Sequence, residues 1–145
     1  MIDRDFRESI ASLDASGVRY LVVGGYAVAL HGHPRCTKDI DVWLEATPDN
    51  AARVIDALEA FGFASMGLTQ ADFLVPDQVI QLGCPPKRIN LLTSLAGVDY
   101  GETYPARVQV DIDGLPVDFI DLENLKKNNR AAARAEDIAD LENLS

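Results

Sequence analysis

Hydrophobic residues along the chain change spacing repeatedly, from the period of an amphipathic helix to the compact runs of buried strands. The first helical pattern covers residues 2–16 and stops at Gly17. The run Tyr20 to Val23 is rich in β-branched residues and precedes two glycines, which is typical of a buried strand ending at a tight turn. The same patterns predict strands over residues 18–23, 39–44, 78–82, 87–92, 107–112 and 115–120, and helices over 26–31, 48–60, 122–133 and 136–144.

Polar residues and glycines at the ends of these segments support their boundaries. Thr47 and Pro48 are typical of a helix N-cap and first turn, and Gly62 ends the same helix. Asp113 with Gly114 is the strongest hairpin turn signal in the chain. Asp111 and Asp113 form an Asp-x-Asp pair, but Asp113 serves the turn and no glycine-rich loop precedes it, so we do not interpret this pair as a site.

Composition sets limits on the class of protein. The 145 residues predict a single domain over residues 1–145, and a net charge of −10 argues against general DNA binding. No apolar run reaches the roughly 20 residues that span a bilayer. The N-terminus lacks a signal-peptide pattern, so we expect a cytoplasmic protein with no membrane association. Cys36 and Cys84 fit no common zinc spacing and are expected to be reduced, unliganded thiols.

Two acidic residues in a short apolar strand are the first candidates for chemistry. Asp39 and Asp41 alternate with apolar residues, so their side chains share one face of the predicted strand. Two carboxylates this close repel unless a cation lies between them, and a divalent metal carrying a nucleoside triphosphate would meet that need. Upstream, Gly24 and Gly25 lie between a strand and a helix N-terminus, where backbone N–H groups can hold an anion.

The order of these features resembles the nucleotidyltransferase superfamily. Gly24-Gly25, thirteen further residues and Asp39-x-Asp41 match its minimal, polymerase-β-like form, which occurs in stand-alone bacterial proteins and in toxin–antitoxin modules. Arg35, Thr37 and Lys38, just before the carboxylates, make the match more specific. The resemblance implies an α+β fold, with a mixed β-sheet and helices packed mainly on one face.

The resemblance also implies a reaction, the transfer of a nucleoside monophosphate from a nucleoside triphosphate to an acceptor hydroxyl. Asp39 and Asp41 would hold two Mg²⁺ (or Mn²⁺) ions. The acceptor stays open between an RNA end, a protein and a small molecule. The implied nucleotide- and phosphate-binding residues are Gly24, Gly25, Arg35, Thr37 and Lys38.

Two positions depart from the family pattern. Similar proteins carry a third catalytic carboxylate in the sequence Arg-Ile-Asp-Leu-Leu, where this chain has Asn90, which keeps one acceptor oxygen but no charge. Asn129 stands where a lysine is common. Either the two changes are linked, or Lys126 or Lys127 replaces the lysine and Asn129 is a surface residue.

Two functions therefore stay open at the level of sequence. The first is a metal-dependent nucleotidyltransferase, with Asp39, Asp41 and Asn90 at the catalytic positions. The second is a catalytically degenerate module that binds a nucleotide or a partner protein, such as the toxin or antitoxin of a two-protein system. If Asn90 does not fill the third position, Asp118 is the next acidic candidate.

Overall fold

The computed structural model describes residues 4–32, 39–62, 67–83 and 88–132. The helices are α1 (Arg4–Ala15), α2 (Gly24–Leu30), α3 (Pro48–Phe61), α4 (Tyr100–Thr103) and α5 (Leu122–Ala132), with short 3-10 turns at Gln70–Phe73 and Tyr104–Ala106. The strands are β1 (Tyr20–Val23), β2 (Asp39–Leu44), β3 (Val79–Leu82), β4 (Arg88–Leu92), β5 (Val108–Ile112) and β6 (Leu115–Phe119).

All of these strands join one mixed sheet in the order β3-β4-β2-β1-β6-β5. β2 runs antiparallel to β1 and parallel to β4. β1 is also parallel to β6, and the two outer hairpins, β3 with β4 and β5 with β6, are antiparallel. β2 therefore lies inside the sheet, with a neighbouring strand on each side, and the predicted mixed α+β architecture is confirmed.

The two faces of the sheet are covered differently. Ile40 and Val42 point to the face covered by α1 and α3, where they are 3% and 1% exposed. A small apolar cavity between these helices and β3 and β4 is lined partly by Leu82 and Leu91, which belong to the same face. On the opposite face, Trp43 packs edge-on against Tyr100 of α4, with ring centroids 4.9 Å apart. Asp39 and Asp41 share that face, because side chains alternate along a strand.

The predicted starts and stops follow local chemistry closely. The Thr47 hydroxyl accepts a hydrogen bond from the backbone N–H of Asn50 at 3.3 Å, and Gly62 ends α3 in the left-handed region. Asp113 and Gly114 have φ values of +53° and +87°, as a type I′ hairpin turn requires. The Asp111 carboxylate accepts from the N–H of Gly114 at 2.7 Å, so the second Asp-x-Asp pair holds a turn.

The start of α2 differs from the sequence prediction. The helix was expected over residues 26–31, after a separate glycine turn, but it begins at Gly24. Gly24 has a φ of +67°, and the change from strand to helix takes place at this residue, directly after Val23. The predicted helix over residues 136–144 and most of the turn between β3 and β4 lie outside the described residues.

Asn50, at the start of α3, connects three elements. Its side chain is fully buried. Its Oδ1 accepts from the N–H of Arg19 at 2.8 Å, while Nδ2 donates to the carbonyl oxygens of Arg19 and Glu45 at 3.0 and 2.8 Å. These bonds tie α3 to the residue before β1 and to the residue after β2, which fixes the helix against the strand that carries the aspartates.

Within the described ranges, no helix is both long and apolar enough to cross a membrane.

Candidate functional site

The carboxylates of β2 lie where the sequence places them. Asp39 and Asp41 are both partly exposed, while Ile40 between them is buried. β1 ends beside them, because Val23 is the cross-strand partner of Asp41. The turn at Gly24 follows immediately, so the end of β1 and the acidic part of β2 lie side by side.

Gly24 lies so close to Asp41 that a side chain at position 24 would require the Asp41 carboxylate to move. A Cβ built on Gly24 would overlap Oδ2 of Asp41 and would lie 3.1 Å from its Cγ. The φ of +67° independently favours glycine. The structure therefore brings the predicted glycine turn and the predicted carboxylate into direct contact.

Asn90 also lies against Asp41. The two residues are register partners in the parallel pair of β4 and β2. Nδ2 of Asn90 donates to Oδ1 of Asp41 at 2.9 Å. On its other side, Oδ1 of Asn90 accepts from Nε2 of Gln81 on β3 at 3.1 Å. The amide thus acts as a donor toward the carboxylate, and its acceptor oxygen is turned toward β3.

Gln81 is a site residue that the sequence analysis did not identify. The strands predicted over residues 78–82 and 87–92 contained only a partial signal for it, because a turn centred midway between them would pair Gln81 with Arg88. The register in the structure pairs Gln81 with Asn90. Arg88 lies in register with Asp39, on the same face of the sheet, and brings a cation to this edge of the site.

Other predicted cations are not all at the site. Arg35, Thr37 and Lys38 lie outside the described residues. His31 follows the last turn of α2, at the end of the helix that is far from Gly24. Its Nε2 donates to the carbonyl oxygen of Ile120 at 2.8 Å, so this side chain anchors the helix to the chain after β6.

The donor set at β2 suits a hard divalent cation. Carboxylate oxygens are the ligands that Mg²⁺ prefers, and Gly24 lacks the Cβ that would fill the space beside Oδ2 of Asp41. Within the described residues, however, no group of three or more His, Cys, Asp or Glu side chains is placed to hold a metal ion. The residues fit a cation that is held by two carboxylates and completed by ligands from outside this set.

Asp118 does not take the third position beside Asp41. It lies on β6, with β1 between that strand and β2. Its Oδ1 is 3.7 Å from Nε of Arg107 and accepts from Nε2 of Gln109 at 3.0 Å. Asp118 therefore takes part in an ion pair and a cross-strand contact near the β5 edge.

Asn129, the second departure from the family pattern, is not a surface residue. Its side chain is 3% exposed, and its Nδ2 has no hydrogen-bond partner in the described structure. Asn129 lies one turn after Leu125 on the buried side of α5. The interpretation of Asn129 as a surface position is therefore wrong.

Aromatic side chains pack next to the carboxylates, on the same face of the sheet. Trp43 contacts Tyr100, whose ring stacks on Tyr104 at 5.5 Å. The guanidinium of Arg107 covers the Tyr104 ring at 4.1 Å. Burial raises the pKa of Tyr100 far above its ordinary value, so this phenol stays neutral. The cluster is a packed wall beside the acidic end of β2.

Comparison with known proteins finds similar folds and a family that covers the chain. A candidate nucleotidyltransferase from Thermotoga maritima has a similar structure, with a TM-score of 0.61, 16% identity, and coverage of 97% of this chain and 88% of that one. An antigenic nucleotidyltransferase-like protein from Paracoccidioides brasiliensis gives a TM-score of 0.55 and 20% identity, with coverage of 99% and 77%. The search of curated proteins gives no match. Residues 1–145 match the family described as "Nucleotidyltransferase of unknown function (DUF6036)", and the chain belongs to that family.

Proposed function

We propose that this chain binds a nucleoside triphosphate together with Mg²⁺ or Mn²⁺ and transfers a nucleoside monophosphate to an acceptor hydroxyl. The acceptor oxygen forms a bond to the α-phosphorus, the bond between the α- and β-phosphates breaks, and pyrophosphate leaves. The observation that carries the proposal is the contact between Gly24 and Asp41, with Asp39 on the same face of β2. The contact brings together two complementary groups. The turn has backbone N–H groups of the kind that bind anions, and the carboxylate can bind a cation. The acceptor, whether RNA, protein or small molecule, is left open.

Each residue has a separate part in this proposal. Asp39 and Asp41 hold the cation, which when bound neutralises charge on the phosphate oxygens and orients them. Backbone N–H groups after Gly24, including that of Gly25, would donate to the β- and γ-phosphates. Arg88 adds positive charge beside Asp39, and Arg35, Thr37 and Lys38 are proposed as further phosphate ligands. Asn90 orients Asp41 but cannot take a proton from the acceptor hydroxyl, since an amide is not a base.

A thermal melt with and without Mn²⁺ tests the cation site. Because a ligand of the native state stabilises it, Mn²⁺ at about 100 times its Kd should raise Tm by about 5–10 °C. Asp41→Asn should abolish the increase. Asp111→Asn is the matched control, because Asp111 belongs to the other Asp-x-Asp pair and holds only a turn. An equal increase in wild type and Asp41→Asn would contradict the site.

The hydrogen bond from Asn90 to Asp41 favours a second candidate, a module that binds the nucleotide without turnover. Asn90→Asp separates the two, because the change is nearly isosteric and restores a third charge and a proton acceptor. We expect tighter Mn²⁺ binding, and transfer of labelled nucleotide to cell RNA or protein that is raised by about 10²-fold or more. Strong transfer by wild type that Asn90→Asp leaves unchanged would rule out the degenerate module and show that position 90 is not the missing base.

A further inference from the structure

Three polar side chains cross three adjacent strands in a line. Gln81 on β3 is the register partner of Asn90 on β4, and Asn90 is the register partner of Asp41 on β2. The hydrogen bonds run in one direction, from Nε2 of Gln81 to Oδ1 of Asn90, and from Nδ2 of Asn90 to Oδ1 of Asp41. The line connects the exposed edge strand of the sheet to the proposed cation site.

The orientation of the Asn90 amide decides what Asn90 can offer to a cation. An asparagine side chain has one donor end and one acceptor end, so fixing one end fixes the other. Gln81 reaches Asn90 through an N–H group, which can only meet the acceptor end. The donor end of Asn90 is thereby left facing Asp41, and its oxygen points away from the cation ligands.

A bound cation would favour the opposite orientation of the Asn90 amide. Without a cation, the negative charge of Asp41 attracts the N–H end of Asn90, and Gln81 favours the same orientation. The positive charge of a cation bound at Asp41 would attract the oxygen of Asn90 instead, because amide oxygens are good ligands of hard cations. Gln81 then opposes this rotation.

We propose that Gln81 is a positioning residue of the site. It holds Asn90 as a donor to Asp41 and keeps the Asn90 oxygen out of the cation's ligand set. The part of this inference that concerns the cation rests on the proposed function, whereas the part that concerns the amide orientation does not. Asp39 and Asp41 are then the ligands that β2 and β4 together supply, so the site binds its cation more weakly than a site with three oxygen ligands.

Mn²⁺ titration of two pairs of variants measures this effect. Gln81→Met keeps the length of the side chain and removes its N–H group. Released from Gln81, the Asn90 amide can rotate and offer its oxygen, so Gln81→Met should bind Mn²⁺ about 2- to 10-fold more tightly than wild type, the equivalent of one hydrogen bond. In an Asn90→Ala background, the same change at Gln81 should have no effect, because no amide remains to transmit it.

Gln109→Met is the matched control for the substitution itself. Gln109 occupies the opposite edge strand, β5, and its Nε2 donates to Asp118, its directly paired neighbour on β6. Both glutamines lie on the edge strand of an antiparallel hairpin and donate to their paired neighbour, which is the amide of Asn90 for Gln81 and the carboxylate of Asp118 for Gln109. Neither β5 nor β6 is next to β2, so this contact does not reach Asp41. Mn²⁺ affinity should be unchanged in Gln109→Met, so any general effect of a methionine on an edge strand is excluded.

A second measurement does not depend on the cation. In apo protein, solvent exchange of the Asn90 side-chain N–H hydrogens, followed by NMR, should be faster in Gln81→Met than in wild type, because one of two bonds that hold the amide is lost. Unchanged exchange would overturn the inference, as would an equal Mn²⁺ effect of Gln81→Met in the Asn90→Ala background. If no variant bound Mn²⁺, the proposed function would fail, and the exchange rates would still decide the amide orientation.

Discussion

Gly24 has two separate reasons to be glycine. Its φ of +67° lies in the left-handed region, where a side chain costs energy in any surroundings. Its missing Cβ also makes room for Asp41. Gly62 shares only the first reason, since its φ is +97° and no atom lies within 4 Å of an added Cβ. The pair separates backbone strain from the close approach of a carboxylate.

Gly24→Ala should therefore destabilise the protein more than Gly62→Ala. We expect a loss of roughly 2–5 kcal/mol in the free energy of unfolding for Gly24→Ala, from strain and overlap together. Gly62→Ala should cost about 1–2 kcal/mol, from strain alone. Urea unfolding of both variants measures the difference. Equal losses would show that Asp41 moves aside without cost.

Asp14, near the end of α1, is an acidic side chain in an unfavourable setting. Burial raises its pKa above the ordinary value of 3.8, a hydrogen bond from Tyr20 opposes the shift, and the charge of Asp118 adds to it. Oδ2 of Asp14 has no hydrogen-bond partner in the described part of the chain. The native state therefore binds a proton at Asp14 more tightly than the unfolded state does.

This shift predicts a pH dependence of stability. A raised native pKa stabilises the fold fully below pH 3.8, and the contribution is lost as pH rises through the native pKa. Asp14→Asn removes the titrating group, so its stability relative to wild type should increase as pH rises from below 3.8 toward neutral. Unfolding curves at a series of pH values measure the difference between the two proteins. A difference that stayed constant with pH would contradict the prediction.

At the level of elements, Asn50 determines how α3 joins the sheet. Asn50 and Asn124 occupy the same helical position, the third after the caps Thr47 and Asp121. Asn50 is fully buried and bonds three backbone groups across two segments, whereas Asn124 is partly exposed and its Nδ2 donates locally to Asp121. Asn50 therefore links its helix to other segments, whereas Asn124, at the equivalent position, makes only local contacts.

Asn50→Asp should be strongly destabilising, although the two side chains have the same shape. The change removes both donors to the carbonyl oxygens of Arg19 and Glu45 and places a carboxylate against them. We expect a loss of roughly 3–5 kcal/mol. Asn124→Asp, the matched control, should cost about 1 kcal/mol or less. Urea unfolding measures the free energy of unfolding of both variants. A small loss for Asn50→Asp would show that the three bonds are not needed to hold α3.

Elements with local signals could be predicted from the sequence, while contacts between elements could not. Thr47, Gly62 and Asp113 act on residues next to them, so the sequence around each one is sufficient. The sheet order and the two bonds between Asn50 and Arg19 depend on residues that are distant along the chain, which no local pattern encodes. Gln81 is an intermediate case, because the hairpin register places it opposite Asn90 only after the turn has been centred correctly.

At the scale of the whole molecule, the strand order assembles the site. β2 has β1 on one side and β4 on the other, so Gly24, Asp41 and Asn90 meet although they are far apart in sequence. The family resemblance predicted these three positions, and the structure adds the direction of the hydrogen bonds between Asn90 and its neighbours. The net charge of −10 attracts cations to the entire surface, so Mn²⁺ effects at this site are best measured in moderate salt.

The surroundings of Asn90 also bear on how this protein can change over generations. Codons for asparagine and aspartate differ by a single purine transition. The position lies between an N–H donor, Gln81, that would equally serve a carboxylate, and Asp41, whose repulsion a cation would relieve. The sheet around position 90 is thus compatible with either residue, and one nucleotide substitution separates a lineage with the amide from one with a third acid.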